Sequence, residues 1–415
     1  MSVYKHYKES AVATFLLHLI MIEFFFFSGE VYYTSIILGG GAKSRFIFLL
    51  TCIFYVYISH KKFRPSRINI RNFCFITIWV LLCTYVFGQE VHDLKWFLYI
   101  VFALSMFLVI STIDFDRFRN LLLRYLIWLS LISIIIQIGH DYFEIFPAKT
   151  YVDGGGKLRY LSLGIFTTEW AENRLASIFW EPGQYQIVIL YVLILFADEW
   201  SNIAVLRKSL RRFGILIIAL IMTLSTTAYL MLGLIVLTIL VRSWKSYIKY
   251  IPILLLLSGF AIYSLYNSEA IQTKVEQSEN ENQRSSYTVR LADNLGCLLV
   301  TSEAPLTGFG PGSTEMENRL YSEGSETSSN GWLYSSAQLG IPYILFLWIC
   351  IWRNLKQMAH YTNRFLLFLI LLLSQANEYA TYFPYMYMYI FSFKKETEVQ
   401  CEKQKCNKLI QKNVS

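Results

Sequence analysis

The fold class predicted for this chain is an all-α polytopic membrane protein with about twelve transmembrane helices and two large loops on its outer side. Two observations predict it. Between Ser10 and Phe393 the sequence runs through about a dozen apolar stretches, and the segments between them alternate between Lys/Arg-rich and Lys/Arg-poor. A helix needs about 20 mostly apolar residues to cross the hydrocarbon core, because backbone polar groups find no water there.

The spans are expected at 10–28, 44–59, 72–88, 94–113, 121–139, 183–199, 213–226, 228–242, 250–266, 331–352, 361–377 and 379–393. The second, seventh and last are short or ragged, so the count lies between eleven and thirteen. Basic residues are retained on the cytoplasmic side. With an inner N-terminus, the inner segments hold 26 of the 37 basic residues, among them Arg117, Arg119, Arg242 and six lysines of the tail. Both termini are therefore expected inside, and the net charge of +8 follows from topology without nucleic acid. Aromatic residues make 17% of the chain, which suits a protein with many interfacial belts. The first apolar segment is too long for a cleaved signal peptide and is expected to stay as the first span.

The chain thus divides into five spans (1–139), a first large loop (140–182), four spans (183–266), a second large loop (267–330), three spans (331–393) and a basic cytoplasmic tail (394–415). Long ordered loops usually carry function, so chemistry or recognition is expected on the outer face. Polar residues within spans (His18, Glu23, Gln137, Gln186 and Gln375) read either as a proton relay or as bundle-facing groups.

In the second loop, the stretch from Arg284 to Val300 reads as an amphipathic helix with Arg290 on the face of Asp293 and Asn294. Pro305-Leu306-Thr307-Gly308-Phe309-Gly310-Pro311-Gly312 follows, where the glycines permit positive φ and close backbone approach; by itself it reads as a turn. Ser328, Ser329 and Asn330 offer an N-cap for a helix beginning at Gly331. The first loop contains Gly154-Gly155-Gly156, too short for a nucleotide fingerprint. Its end crowds Glu169, Glu172, Arg174 and Glu181 together before the sixth span. That cluster is either a pocket for a lipid-linked anion or a set of structural ion pairs.

Cys297 is the one cysteine in an outer segment, so no disulfide is expected there, and the tail cysteines Cys401 and Cys406 lack His partners. The sequence carries no Walker A, His-Glu-x-x-His or Cys-x-x-Cys pattern, and no Asp-x-Asp pair in the outer loops. Metal-dependent and nucleotide-driven reactions are disfavoured, and no cofactor or metal is expected.

Three segments together resemble the bacterial O-antigen polymerase (Wzy) and O-antigen ligase superfamily. They are Arg174-Leu-Ala-Ser-Ile-Phe-Trp-Glu181-Pro182-Gly183, Arg290 followed by Pro305 to Gly310, and Asn330 with Trp332-Leu333 and Leu339-Gly340-Ile341. Ser225-Thr226-Thr227 also sits where the family often has a Ser-rich turn. The resemblance implies a multi-pass protein of the bacterial inner membrane with periplasmic loops. Its ligases use a His just before the matching Asn; here that position is Ser329, which favours the polymerase branch. The spacing from Arg174 to Gly183 departs from the polymerase motifs, which leaves open which Arg carries the role.

For this chain the resemblance implies transfer of a growing O-antigen, capsule or related glycan from undecaprenyl pyrophosphate to another lipid-linked repeat unit. Arg174 and Arg290 would hold the departing pyrophosphate, with Arg284 and Arg319 in reserve, because a planar guanidinium matches phosphate oxygens. Glu181 would serve the attacking hydroxyl, with Glu172 and Glu169 behind it. Gly308 and Gly310 would let backbone approach the glycan, and Asn330 would hydrogen-bond it. The partners implied are the lipid-linked oligosaccharide, membrane lipids, a chain-length regulator and a flippase. A ligase, or a transporter such as the flippase itself, is the rival reading. The long outer loops and the scarcity of charge at span centres count against the transporter.

Overall fold

The computed structural model describes residues 10–28, 42–88, 95–146, 149–152, 158–163, 165–167, 174–179, 181–242, 286–322, 330–376 and 381–393. The expected span 250–266, the triple glycine at 154–156, Glu169, Glu172, Arg284, Ser329 and the basic tail lie outside them.

The first half of the chain is α1 (Ala11–Phe26), α2 (Ala42–Ile58), α3 (Arg67–Tyr85), α4 (Lys95–Ile110) and α5 (Phe115–Phe143). A small sheet follows, then α6 (Pro182–Ile194), the short α7 (Ala197–Trp200), α8 (Ile203–Met222) and α9 (Thr226–Arg242). The second large loop carries α10 (Ser286–Glu303) and α11 (Thr314–Ser322), and α12 (Gly331–Met358), α13 (Arg364–Gln375) and the short α14 (Pro384–Tyr387) complete the bundle. Among the described residues, α3, α5 and α12 are long and apolar enough to cross a membrane, and α1, α4, α6, α9, α13 and residues 45–58 are shorter apolar helices. Large apolar side chains such as Phe15, Phe54, Ile78, Trp128, Leu230 and Ile349 point outward, as lipid-facing positions do. The chain is a multi-pass α-helical membrane protein.

Helix starts follow local chemistry. Ser10 caps α1 by accepting from the Ala13 amide (3.1 Å), Ser66 caps α3 through the Asn69 amide (3.1 Å), and Asn363 caps α13 through the Phe365 and Leu366 amides. Pro182 opens α6, where its missing N–H costs nothing.

The helical fold class stands, with a small addition in the first large loop and a departure in the last expected span. Residues Lys149–Val152 (β1), Leu158–Ser162 (β2) and Ile165–Thr167 (β3) form an antiparallel sheet in the order β1-β2-β3, with Thr150 opposite Tyr160 and Leu161 opposite Phe166. Its strands are three to five residues long, too short for an alternating pattern to stand out in a loop.

The last expected span, 379–393, is not a regular helix. From Phe383 to Phe391 it winds through i→i+3 bonds, with the Met386, Tyr389 and Ile390 amides donating to the carbonyls of Phe383, Met386 and Tyr387. Irregular backbone at membrane depth survives only where protein covers it. Here Asn72 donates to the Ile390 carbonyl (2.9 Å), Asn354 to the Tyr389 carbonyl (2.8 Å), and Asn69 both donates to and accepts from Ser392 (3.0 and 2.8 Å).

Several aromatic residues lie in the interior of the bundle. Tyr99, Tyr185, Tyr191, Tyr343, Tyr385, Tyr387 and Tyr389 are fully buried. Their phenols supply polar partners inside the bundle, as when Tyr387 donates to the Tyr99 carbonyl (3.1 Å) and Tyr389 to the Tyr191 carbonyl (2.5 Å).

The polar span residues take the bundle-facing reading. Glu23, Gln137, Gln186 and Gln375 are buried. Glu23 accepts from Thr51 (3.0 Å), His18 bonds the Tyr125 hydroxyl (2.8 Å), and Gln375 donates to Tyr191 (3.1 Å).

Candidate functional site

The helix α9 separates two polar regions, one at each end, and its 17 residues set them roughly 25 Å apart. At its C-terminal end, segments expected on the inner side meet around a cavity of about 690 Å³ whose lining includes Asp116, Arg119, Asp198, Glu199, Arg242 and Tyr361. Arg119 bridges Asp116 (2.7 Å) and Glu199 (3.0 Å) and lies over the Phe196 ring. Arg242 donates to the Asp198 carbonyl (3.0 Å) and to Ser201 (2.5 Å) and lies over Tyr361. The Asp198 carboxylate accepts from the His360 amide (2.7 Å), the Tyr361 amide (2.9 Å) and the Thr362 hydroxyl (2.8 Å), which pins the α12–α13 connection. Sequence reading counted these arginines only as topological charge. The signal for more was the recurrence of acidic residues beside them, Asp114 and Asp116 near Arg119 and Asp198 with Glu199 opposite.

At the other end of α9, the segment 174–179 docks on the turn between α8 and α9. The Arg174 Nε donates to the Thr223 carbonyl at 3.0 Å, and the Leu175 amide donates to the Met222 carbonyl at 2.8 Å. Two non-glycine residues here adopt left-handed backbone: Ser177 (φ 58°) and Leu224 (φ 44°). A leucine in that region costs about 1–2 kcal/mol, and such conformations concentrate at functional sites when the surroundings enforce them. The Ser177 hydroxyl is buried against that of Ser133 on α5 (2.7 Å), which holds the turn. Glu181 is the N-cap residue of α6, yet its side chain makes no cap hydrogen bond and is half-buried.

In the second loop, α10 packs on the first half of α12 and α11 packs on α10. Arg290 is exposed on α10, while Asp293 on the same helix is buried. Arg319 is tied into the loop itself: its guanidinium pairs with Glu303 and with Glu315 (2.7 Å) and lies 4.9 Å from the centre of the Phe309 ring. Lys95, the first residue of α4, reaches Glu317 at 3.0 Å. Asn330 caps α12 by accepting from the Trp332 and Leu333 amides (3.1 and 3.2 Å), as its position predicted.

Gly308 and Gly310 allow close backbone approach, and what they approach is the protein. The helix α12 is broken at Gly340 (φ 76°, ψ 165°), and Pro342 has no N–H to offer the Gln338 carbonyl. The orphaned groups are satisfied from the loop. Phe309 and Gly310 amides donate to the Ala337 and Gln338 carbonyls (both 2.9 Å), the Ile341 amide donates to the Pro305 carbonyl (2.8 Å), and Trp79 donates to the Leu339 carbonyl (2.8 Å). A Cβ at Gly308 would lie 2.3 Å from the Gln338 carbonyl carbon, and one at Gly310 2.7 Å from the Cys83 oxygen. This Pro-Leu-Thr-Gly-Phe-Gly segment therefore seals a discontinuous transmembrane helix.

The O-antigen ligase family model matches residues 213–349, about a third of the chain, from within α8 to within α12. The match includes the strained Leu224 turn, Arg290, the sealing loop and Asn330, and stops short of Arg174 on the N-terminal side. It supports the O-antigen ligase and polymerase superfamily and does not distinguish its branches. No curated protein and no solved structure matches the chain significantly.

Proposed function

We propose, on the premise of that superfamily match, that this chain is a membrane-embedded polysaccharide polymerase acting on the periplasmic face of the bacterial inner membrane. It transfers a growing O-antigen or capsule glycan from undecaprenyl pyrophosphate to the non-reducing sugar of another lipid-linked repeat unit. The observation that carries the reading is the anchoring of Arg174 on the Thr223 carbonyl close in sequence to two left-handed residues, Ser177 and Leu224, at the end of α9 opposite the cavity. A guanidinium whose Nε is spent on a fixed carbonyl keeps its plane oriented, and orientation is what charge stabilisation in a transition state requires.

In this step the acceptor hydroxyl oxygen forms a bond to the anomeric carbon as that carbon's bond to the pyrophosphate oxygen breaks. The pyrophosphate leaves with the bonding electrons, toward Arg174 with Arg290 in support. The hydroxyl proton passes to the Glu181 carboxylate, which is not engaged in capping α6. Arg319, Gly308, Gly310 and Asn330 hold the second loop and the start of α12 in shape, through the contacts described above. Glu169, Glu172 and Arg284 remain candidate contacts to the glycan.

The second reading is ligation, transfer of a finished glycan to lipid A core, because the matching family model describes O-antigen ligases. A surface-polysaccharide gel on a deletion strain separates the two. Loss of the long ladder with survival of a single-repeat band, restored by wild type and not by Arg174→Ala, supports polymerisation. Loss of the single-repeat band too, with lipid-linked glycan accumulating, supports ligation and overturns the first reading.

A further inference from the structure

The outward face of α10 is apolar. Leu291, Leu295, Leu298 and Leu299 recur at i, i+4, i+7 and i+8 and so form one stripe, each between 45% and 52% exposed. The opposite face, with Asp293, Cys297 and Val300, is buried, and Thr301 bonds the Ser336 hydroxyl on α12 at 2.9 Å. The charged side chain within the stripe's length, Asp293, is thus turned toward the protein.

The stripe does not end with the helix. Leu306 is exposed in the sealing loop, its carbonyl lies against Gly340, and the neighbouring Pro305 carbonyl holds the Ile341 amide. Ile341, Leu345 and Ile349 then continue at i, i+4 and i+8 as the outward face of α12, a helix long and apolar enough to cross the membrane. One apolar surface therefore runs from a transmembrane helix onto α10. The first half of α12 explains why. It presents Ser336, Tyr334 and Ala337 to α10, which covers them with Thr301, Cys297 and Val300 and so turns its leucines outward.

We propose that α10 is seated in the outer leaflet of the bilayer, its leucine stripe in contact with phospholipid acyl chains, as a membrane-associated arm of the second loop. An amphipathic helix with a leucine face rests at the acyl–headgroup boundary, and Arg290, exposed in the turn that precedes the stripe, is long enough to snorkel to phosphate level. The inference depends on the bilayer alone and stands or falls independently of the glycan chemistry.

The test uses the full chain in phospholipid vesicles, with native cysteines replaced and a single Leu295→Cys labelled with the fluorophore NBD. Ile349→Cys is the lipid-facing reference, Ser322→Cys on α11 is the comparison outside the stripe, and Leu298→Cys substitutes if the first variant folds poorly. The expected result is quenching by acyl-chain nitroxide lipid within about twofold of the Ile349 site, with weak quenching by aqueous iodide. Strong iodide quenching without nitroxide quenching overturns the proposal. So does protection from both quenchers that scales with protein density, which would assign the stripe to a second copy. Nitroxide-insensitive shielding that appears only on adding polyprenyl phosphate overturns it in favour of the substrate's own chain.

Discussion

The backbone amide of Ile341 donates to the carbonyl of Pro305 at 2.8 Å, across the break in α12. This bond joins the second large loop to the interior of a helix long and apolar enough to cross a membrane, so the loop is part of the bundle's hydrogen-bond closure. An unsatisfied backbone group in that setting costs several kcal/mol, so the break and the loop are stable only together.

Gly340→Ala tests that coupling. A Cβ there would sit 2.3 Å from the Leu306 oxygen on backbone with φ 76°, so strain and clash add. The expected outcome is a loss of monodisperse protein after solubilisation and a lower unfolding temperature. Gly233→Ala, in α9 with nothing within 4 Å of the new methyl, is expected to be neutral or to stabilise by roughly 0.5–1 kcal/mol. Equal behaviour of the two variants in thermal unfolding would refute the coupling.

Asn354 and Asn72 hold the irregular segment after α13. Replacing Asn354 by Leu removes the donor to the Tyr389 carbonyl and the acceptor of the Ser392 hydroxyl (2.7 Å), both buried. Leaving those groups unpaired is expected to destabilise by about 1–3 kcal/mol each, before relaxation. Unfolding monitored by tryptophan fluorescence in detergent reads this directly.

Asp198→Ala removes the acceptor for three donors at 360–362 and is expected to loosen the α12–α13 connection. Asp198→Asn keeps one oxygen and should fall between the variant and wild type. Protease sensitivity at the connection, measured from the inner side of membrane vesicles, orders the three proteins. An identical cleavage rate in all three would show that the carboxylate does not hold it.

Arg174 and Arg319 are expected to part company in activity. Arg319 is about a third exposed and serves intraloop pairs, so Arg319→Ala should cost at most about 1 kcal/mol and leave glycan chain length nearly unchanged. Arg174→Ala should abolish polymer, and Arg174→Lys should rescue poorly because a lysine cannot both bond the Thr223 carbonyl and present a planar fork. Comparable ladders from Arg174→Ala and Arg319→Ala would remove Arg174 from its role.

Much of the fold was legible in the sequence because its cause is local. The helix start at Asn330 follows from a side chain that caps its own turn, and the apolar runs follow from the need to satisfy backbone groups within one segment. The amphipathic pattern of 284–300 likewise announced α10 to within a few residues. The short strands of the first loop did not stand out, because a three-residue strand has no period to detect.

By itself, then, the sequence determined a helical membrane protein and the segments between helices in which charged groups gather. Those properties depend on water-to-lipid transfer and on contacts within a few residues. The tertiary structure alone decided that Tyr-rich 381–393 is sealed inside the bundle by asparagines from α3 and α12, that Gly308 faces the broken helix α12 and that Gly310 faces the end of α3. It also separated Arg319, bound within its loop, from Arg174, anchored on a distant turn. Each of these is a pairing between residues far apart in the chain, and a hydrogen bond or a backbone contact of that kind leaves no periodic trace in either partner's neighbourhood.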